Sequence, residues 1–142
     1  MQKTLSHRFT LDLPPKEAFP LFTAEGERAW VEGWNPTFLH AERPETTAKG
    51  TVWQTGEGGT RTLWMCMDWE PPRSVRYARV MPAASFDVVE VTVEPDGEGS
   101  AVTVAYTFTP LTNAARAEVD AIDQEKFAAM IGEWPTLIAR AT

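Results

Sequence analysis

The chain has 142 residues, a formal charge of −7, 43% hydrophobic and 23% charged residues, and a single cysteine. That size suits one domain with a real core, and the lone Cys66 excludes an internal disulfide. The negative charge argues against nucleic acid and against anionic membrane surfaces, both of which call for a basic face. No apolar run approaches the roughly 18 residues of a membrane span. The first residues enter a strand pattern without a signal-peptide core, so no membrane insertion and a cytoplasmic location are expected. Arg73, Arg76 and Arg79 lie close together and read as a solvated strand face.

Residues 3–13 alternate, with Leu5, His7, Phe9 and Leu11 on one side and Ser6, Arg8, Thr10 and Asp12 on the other. This predicts a half-buried first strand. Pro14-Pro15 ends it, and proline suits the opening turn of a short helix. A second helical piece is predicted over 25–32, punctuated by Gly26 and Gly33. Residues 33–49 show no sustained period and read as a loop or lid. Strands follow at 51–55, 61–69, 74–81, 85–94 and 101–109, separated by Gly- and Pro-rich turns. Residues 112–141 carry apolar side chains at steps of three and four, which predicts one amphipathic helix of about 28 residues.

Consecutive strands joined by tight turns imply an antiparallel meander. The predicted architecture is therefore α+β: one domain over 1–142, a curved sheet of six or seven strands, two short helices after the first strand, and a long C-terminal helix covering the sheet.

Several stretches then support a family resemblance. Phe19 to Pro36, with Glu27, Trp30 and Gly33-Trp34-Asn35-Pro36, is similar to a segment of one bacterial branch of the START-like superfamily. That superfamily is also described as helix-grip, or polyketide cyclase and lipid transfer. Leu63-Trp64, Asp68-Trp69-Glu70-Pro71, Tyr77-Ala78-Arg79-Val80 and Phe127 to Trp134 extend the likeness over essentially the whole chain. The resemblance implies a sheet wrapped around the C-terminal helix, with a cavity between them. It implies a small hydrophobic ligand such as a lipid, polyketide or hormone. Two alternatives stand beside that: a cyclase or dehydratase, and a module that assists a chaperone ATPase. A protein partner or a homodimer is compatible with all three.

The residues offer candidates for lining such a cavity. Six tryptophans supply large apolar areas, each with an N–H that needs a partner when buried. Trp34 borders the irregular 33–49 segment. Trp134 lies on the oily face of the long helix, near Phe127 and Met130, and Pro135 beside it favours a bend. Trp64, Tyr77 and Tyr106 complete the aromatic set, although the inward face of strand 61–69 is ambiguous. Asp87 shares parity with Val89, Val91 and Val93, so an inward carboxylate calls for a partner such as Arg79. That pair is the candidate acid–base group if the protein is an enzyme. Glu27 reads as half of a structural ion pair with a nearby arginine. His7, His40 and Cys66 have no zinc spacing, and Gly56 to Gly59 lacks the lysine of a phosphate loop, so neither metal nor cofactor is expected.

Overall fold

The computed structural model describes residues 1–141. Seven strands form one antiparallel sheet: β1 (Lys3–Leu11), β2 (Thr37–His40), β3 (Val52–Thr55), β4 (Thr62–Glu70), β5 (Ser74–Met81), β6 (Ser85–Asp96) and β7 (Gly99–Pro110). Their order is β1-β7-β6-β5-β4-β3-β2, a meander closed by the return of the first strand beside the last. The β6–β7 hairpin pairs Asp96 with Gly99 and leaves a two-residue turn. Gly97 opens that turn at φ +60°, a left-handed conformation that glycine adopts without a Cβ penalty.

Period-two alternation sets the buried face. On β6, Asp87, Val89, Val91 and Val93 point inward, as their parity requires. On β4 the ambiguity has a physical cause. A bulge between Cys66 and Asp68 shifts the register. Thr62 and Cys66 are buried before it; beyond it Trp69 packs edge-on against Phe19, with centroids 5.3 Å apart, while Asp68 is exposed. One extra residue thus turns the strand's later side chains over. Strand β2 was not anticipated within 33–49. It has four residues, only Phe38 half-buried, and its own bulge between Phe38 and His40 erases any alternation.

After β1, α1 (Pro15–Ala18) leads into a 3-10 turn, Phe19–Phe22, with Pro20 near its start. A second 3-10 turn, Gly26–Ala29, replaces the predicted helix over 25–32. A Cβ on Gly26 would lie 1.8 Å from the Pro20 carbonyl oxygen, so the two turns meet at a place only glycine fits.

The single helix predicted over 112–141 is three: α2 (Asn113–Asp120), α3 (Gln124–Gly132) and α4 (Trp134–Ala141). Asp123 breaks it. Its backbone is extended (φ −90°, ψ 177°), and its carboxylate accepts a hydrogen bond from the Lys126 N–H, which makes it an N-cap. Thr112 caps α2 in the same way. The long C-terminal helix therefore covers 124–141, with a joint at Glu133 where Pro135 has no N–H to give. Asp123→Ala is expected to lower stability by about 1 kcal/mol in urea unfolding; no change would mean that packing alone places the break.

Phe127, Ile131 and Ile138 of this helix are buried against Phe9 and the β6 and β7 valines. The helix also attends to the sheet's edge. Gln124 Nε2 donates to the Ser6 carbonyl of β1 at 2.7 Å, and Lys3 Nζ reaches back to the Val119 carbonyl at 3.1 Å.

Candidate functional site

Strand register assembles the site in two cross-sheet rows on the inner face. One runs Trp53, Trp64, Arg79, Asp87, Phe108. The next runs Cys66, Tyr77, Val89, Tyr106. Trp53 is fully buried and stacks parallel on Trp64 at 5.9 Å, and Tyr77 meets both rings edge-on.

The two 3-10 turns lie over these rows, held by aromatic polar atoms. Tyr77 Oη donates to the Phe22 carbonyl at 2.7 Å. Trp30 Nε1 donates to the Leu21 carbonyl and Trp34 Nε1 to the Ala24 carbonyl, each at 2.8 Å. Buried aromatic donors need partners, and here they fasten the 21–24 backbone. Glu25 fastens the following loop. Its carboxylate accepts from the Thr47 hydroxyl at 2.6 Å and from the Thr47 N–H at 3.1 Å.

Between these layers remains a small gap lined by Phe22, Glu27, Trp64, Tyr77, Tyr106 and Trp134, with Val89 and Val91 as its floor. Its volume is about 20 Å³, room for one water molecule. Trp134 closes it from the helix side, stacked with Phe22 at 6.1 Å and against Trp30 at 5.1 Å. Beyond those rings an open groove of about 420 Å³ runs between residues 28–34 and α4.

Glu27 is the ionisable side chain that departs most from expectation. Arg28, not Glu27, makes the local ion pair, with Glu45 at 2.7 Å. The Glu27 carboxyl has no hydrogen bond or ion pair among the described residues. Burial alone acts on it and pushes its pKa from 4.5 to about 8. Raised so far, the group stays in part a carboxylic acid near neutral pH, able to donate as well as accept. Burial and the nearby Glu27 also raise Tyr77 well above its usual value. Burial raises Tyr106 too, against the opposing pull of the Arg79 guanidinium.

Arg79 and Asp87 pair as their parity suggested. Two guanidinium nitrogens of Arg79 donate to Asp87 Oδ2 at 2.7 and 3.1 Å, and the Ser85 hydroxyl donates to the same oxygen. The Asp87 side chain is 0% exposed, and its Oδ1 has no partner. The Arg79 guanidinium also lies over two rings, 5.0 Å from the Tyr106 centroid and 5.6 Å from that of Trp64. Arg76, by contrast, is on the outer face with Asp68 and Glu90.

Of the residues expected to line a cavity, Trp64, Tyr77, Tyr106 and Trp134 surround the gap. Arg79 and Asp87 sit in the adjoining row, and Phe127 packs edge-on behind Tyr106 at 5.4 Å. Trp34 stands one ring further out, edge-on to Trp64 at 5.5 Å, and lines the outer groove. Met130 does not reach the gap. It is 44% exposed, because Phe127, Ile131 and Ile138 take the inward positions and leave 130 about 100° off that line. Among the described residues, no three His, Cys, Asp or Glu gather as metal ligands.

Solved structures share this fold. Protein MLL2253 from Mesorhizobium loti is 16% identical, with a TM-score of 0.69 over 99% of each chain. CalU16 from Micromonospora echinospora is 13% identical, with a TM-score of 0.66 over 99% of this chain and 85% of its own. Norcoclaurine synthase from Thalictrum flavum is 11% identical, with a TM-score of 0.65 over 98% and 87%. At such identities the likeness speaks for the helix-grip fold alone. No curated protein matches the chain. The profile described as polyketide cyclase / dehydrase and lipid transport does match, over residues 2–133. With nearly its whole length covered, the chain belongs to the polyketide cyclase / dehydrase and lipid transport family.

Proposed function

We propose that the chain binds a small hydrophobic or aromatic molecule, non-covalently, between the sheet and the C-terminal helix. The supporting observation is the gap itself: five aromatic rings converge there around one unpartnered carboxyl. Mostly apolar walls with a few convergent polar groups are the usual form of a small-molecule site. The gap admits only one water as it stands, so a ligand enters by parting Trp134 from Trp30 toward the outer groove. The joint at Glu133 is where the helix can yield. No described helix is long and apolar enough to cross a membrane, and a cytoplasmic site of action fits this reading.

Filling the gap tests the proposal. Val89→Phe places a ring on its floor, and affinity for naphthalene, followed by tryptophan fluorescence, is expected to fall at least tenfold. Trp34→Ala, outside the gap, is expected to change it less than about threefold. Circular dichroism checks that both variants fold. Unchanged affinity in Val89→Phe would put the ligand elsewhere. A wild-type protein that binds no hydrophobic probe would favour the interaction-module reading instead.

Glu27 supports a second reading, an enzyme of the cyclase or dehydratase kind. A carboxylic acid with a pKa of about 8 in an aromatic gap suits proton transfer near neutral pH. It fills that role better than Asp87, whose charge is committed to Arg79. Under this reading Glu27→Gln abolishes turnover, whereas Asp87→Asn acts through stability.

A further inference from the structure

The Glu27 carboxyl invites a more definite statement about the ligand, one that rests on the binding proposal above. Its surroundings can be inventoried element by element. β5 contributes Arg79 and Tyr77, β6 contributes Asp87, β7 contributes Tyr106, and Glu25 lies on the adjoining turn. Arg79 and Asp87 neutralise each other at 2.7 Å. Glu25 is held by Thr47, and the Tyr77 hydroxyl is spent on the Phe22 carbonyl. The indole donors of Trp30, Trp34 and Trp64 are likewise engaged, the last with the Thr55 hydroxyl at 3.0 Å, whereas that of Trp53, stacked behind Trp64, is buried without a partner. What remains is a surplus acid group with no cation facing it. One row away, Asp87 Oδ1 is a buried acceptor without a donor, while Glu27 itself is half-buried.

The walls have a matching property. Aromatic faces attract cations, and the rings of Trp64 and Tyr106 already hold one, the Arg79 guanidinium. The space also fits: about 20 Å³ accepts a head group the size of a water molecule, which is the size of an ammonium. An anionic head would meet no free positive charge, only the Glu27 carboxyl, the unpaired oxygen of Asp87 and the indole N–H of Trp53.

We propose that the gap receives the ammonium head of a small primary amine with an apolar or aromatic body, and that Glu27 is its counter-ion. The proton count closes. A neutral amine entering takes the proton of the Glu27 carboxyl, leaving an ammonium beside a carboxylate with no change in total charge. An amine entering as ammonium displaces that proton into solvent. Either way no bond to carbon forms or breaks. The body of the amine lies between the rings and the outer groove, where Trp134 and Trp30 now touch.

Three probes of nearly equal shape separate the terms: benzylamine, benzyl alcohol and benzoate, titrated calorimetrically at neutral pH into wild type and Glu27→Gln. Benzylamine is expected to bind at least tenfold more tightly than benzyl alcohol, with benzoate weakest. Glu27→Gln is expected to bring benzylamine down to the level of benzyl alcohol. Repeating the benzylamine titration in two buffers of different ionisation enthalpy reads the proton directly, and wild type is expected to release a fraction of one proton. That readout does not depend on how well the variant folds. Benzyl alcohol binding as tightly as benzylamine, or Glu27→Gln keeping the full preference for benzylamine, would overturn the amine assignment while leaving the hydrophobic-site proposal standing. Failure of all three probes to bind would overturn both.

Discussion

Between about pH 5 and pH 8.5 the wild-type fold is expected to lose stability relative to Glu27→Gln. The sign follows from where the proton sits. In the unfolded chain Glu27 releases its proton near 4.5; in the fold it keeps it to about 8. Between those values the folded state binds more protons, so stability falls as pH rises and levels off above the folded value. At about 1.4 kcal/mol per pH unit, full exclusion of water would give a loss of roughly 5 kcal/mol. Glu27 is half-buried, so a loss of about 2–3 kcal/mol is the sounder expectation. Glutamine keeps the shape and has nothing to ionise. Urea midpoints of both proteins across the range give the difference directly. The range stops below pH 9 because Cys66, pushed from 9.0 to about 12 by burial and by Asp68, adds its own loss above that. A wild-type-minus-variant difference that did not change with pH would show Glu27 titrating as an ordinary surface acid, and the gap would then be wet.

Arg79→Ala is expected to be the costliest single change at the site, about 3–5 kcal/mol, because it strands a buried charge. Asp87 is fully buried and the Ser85 hydroxyl would be its one remaining side-chain donor. The reverse change should be milder. Arg79 is 16% exposed and rests on two aromatic faces, so in Asp87→Asn its charge keeps some water and its cation–π contacts. Replacing both with apolar residues, Arg79→Met with Asp87→Leu, should recover much of the loss, since it removes both desolvation costs together. Equal destabilisation by Arg79→Ala and by the double change would mean that packing, not charge, dominates the position.

The sequence makes the strands and the Arg79–Asp87 pair readable because alternation reports which side chains share a face, and turn residues mark where each strand ends. Asp87 falls in step with three valines, and its need for a partner is a matter of chemistry alone. Three features resist such reading. β2 is too short for a pattern and is interrupted by a bulge. Asp123 looks like any acid on a helix's polar face until its backbone is seen to leave the helix and its carboxylate to start a new one. Glu27 lies in a polar stretch, and its environment comes from Trp64, Tyr77, Tyr106 and Trp134, residues 37 to 107 positions away. No local signal carries such an environment. Met130 is outward for a reason of phase: in Gln124–Gly132 the buried positions are Phe127 and Ile131, and a residue one step before Ile131 turns about 100° away from that line.

The two outer strands bear on how copies of the chain behave toward one another. An open sheet has two edges, each a row of unpaired backbone groups that invites a strand from another molecule. At one edge here, β2 offers only four residues, and the bulge at Leu39 spoils their register for any incoming strand. At the other, β1 is nine residues long, but the side chain of Gln124 occupies the Ser6 carbonyl, and α3 lies against the strand. Polymerisation through edge-to-edge strand addition is thereby opposed at both ends by different means, a distorted template at β2 and an occupied one at β1.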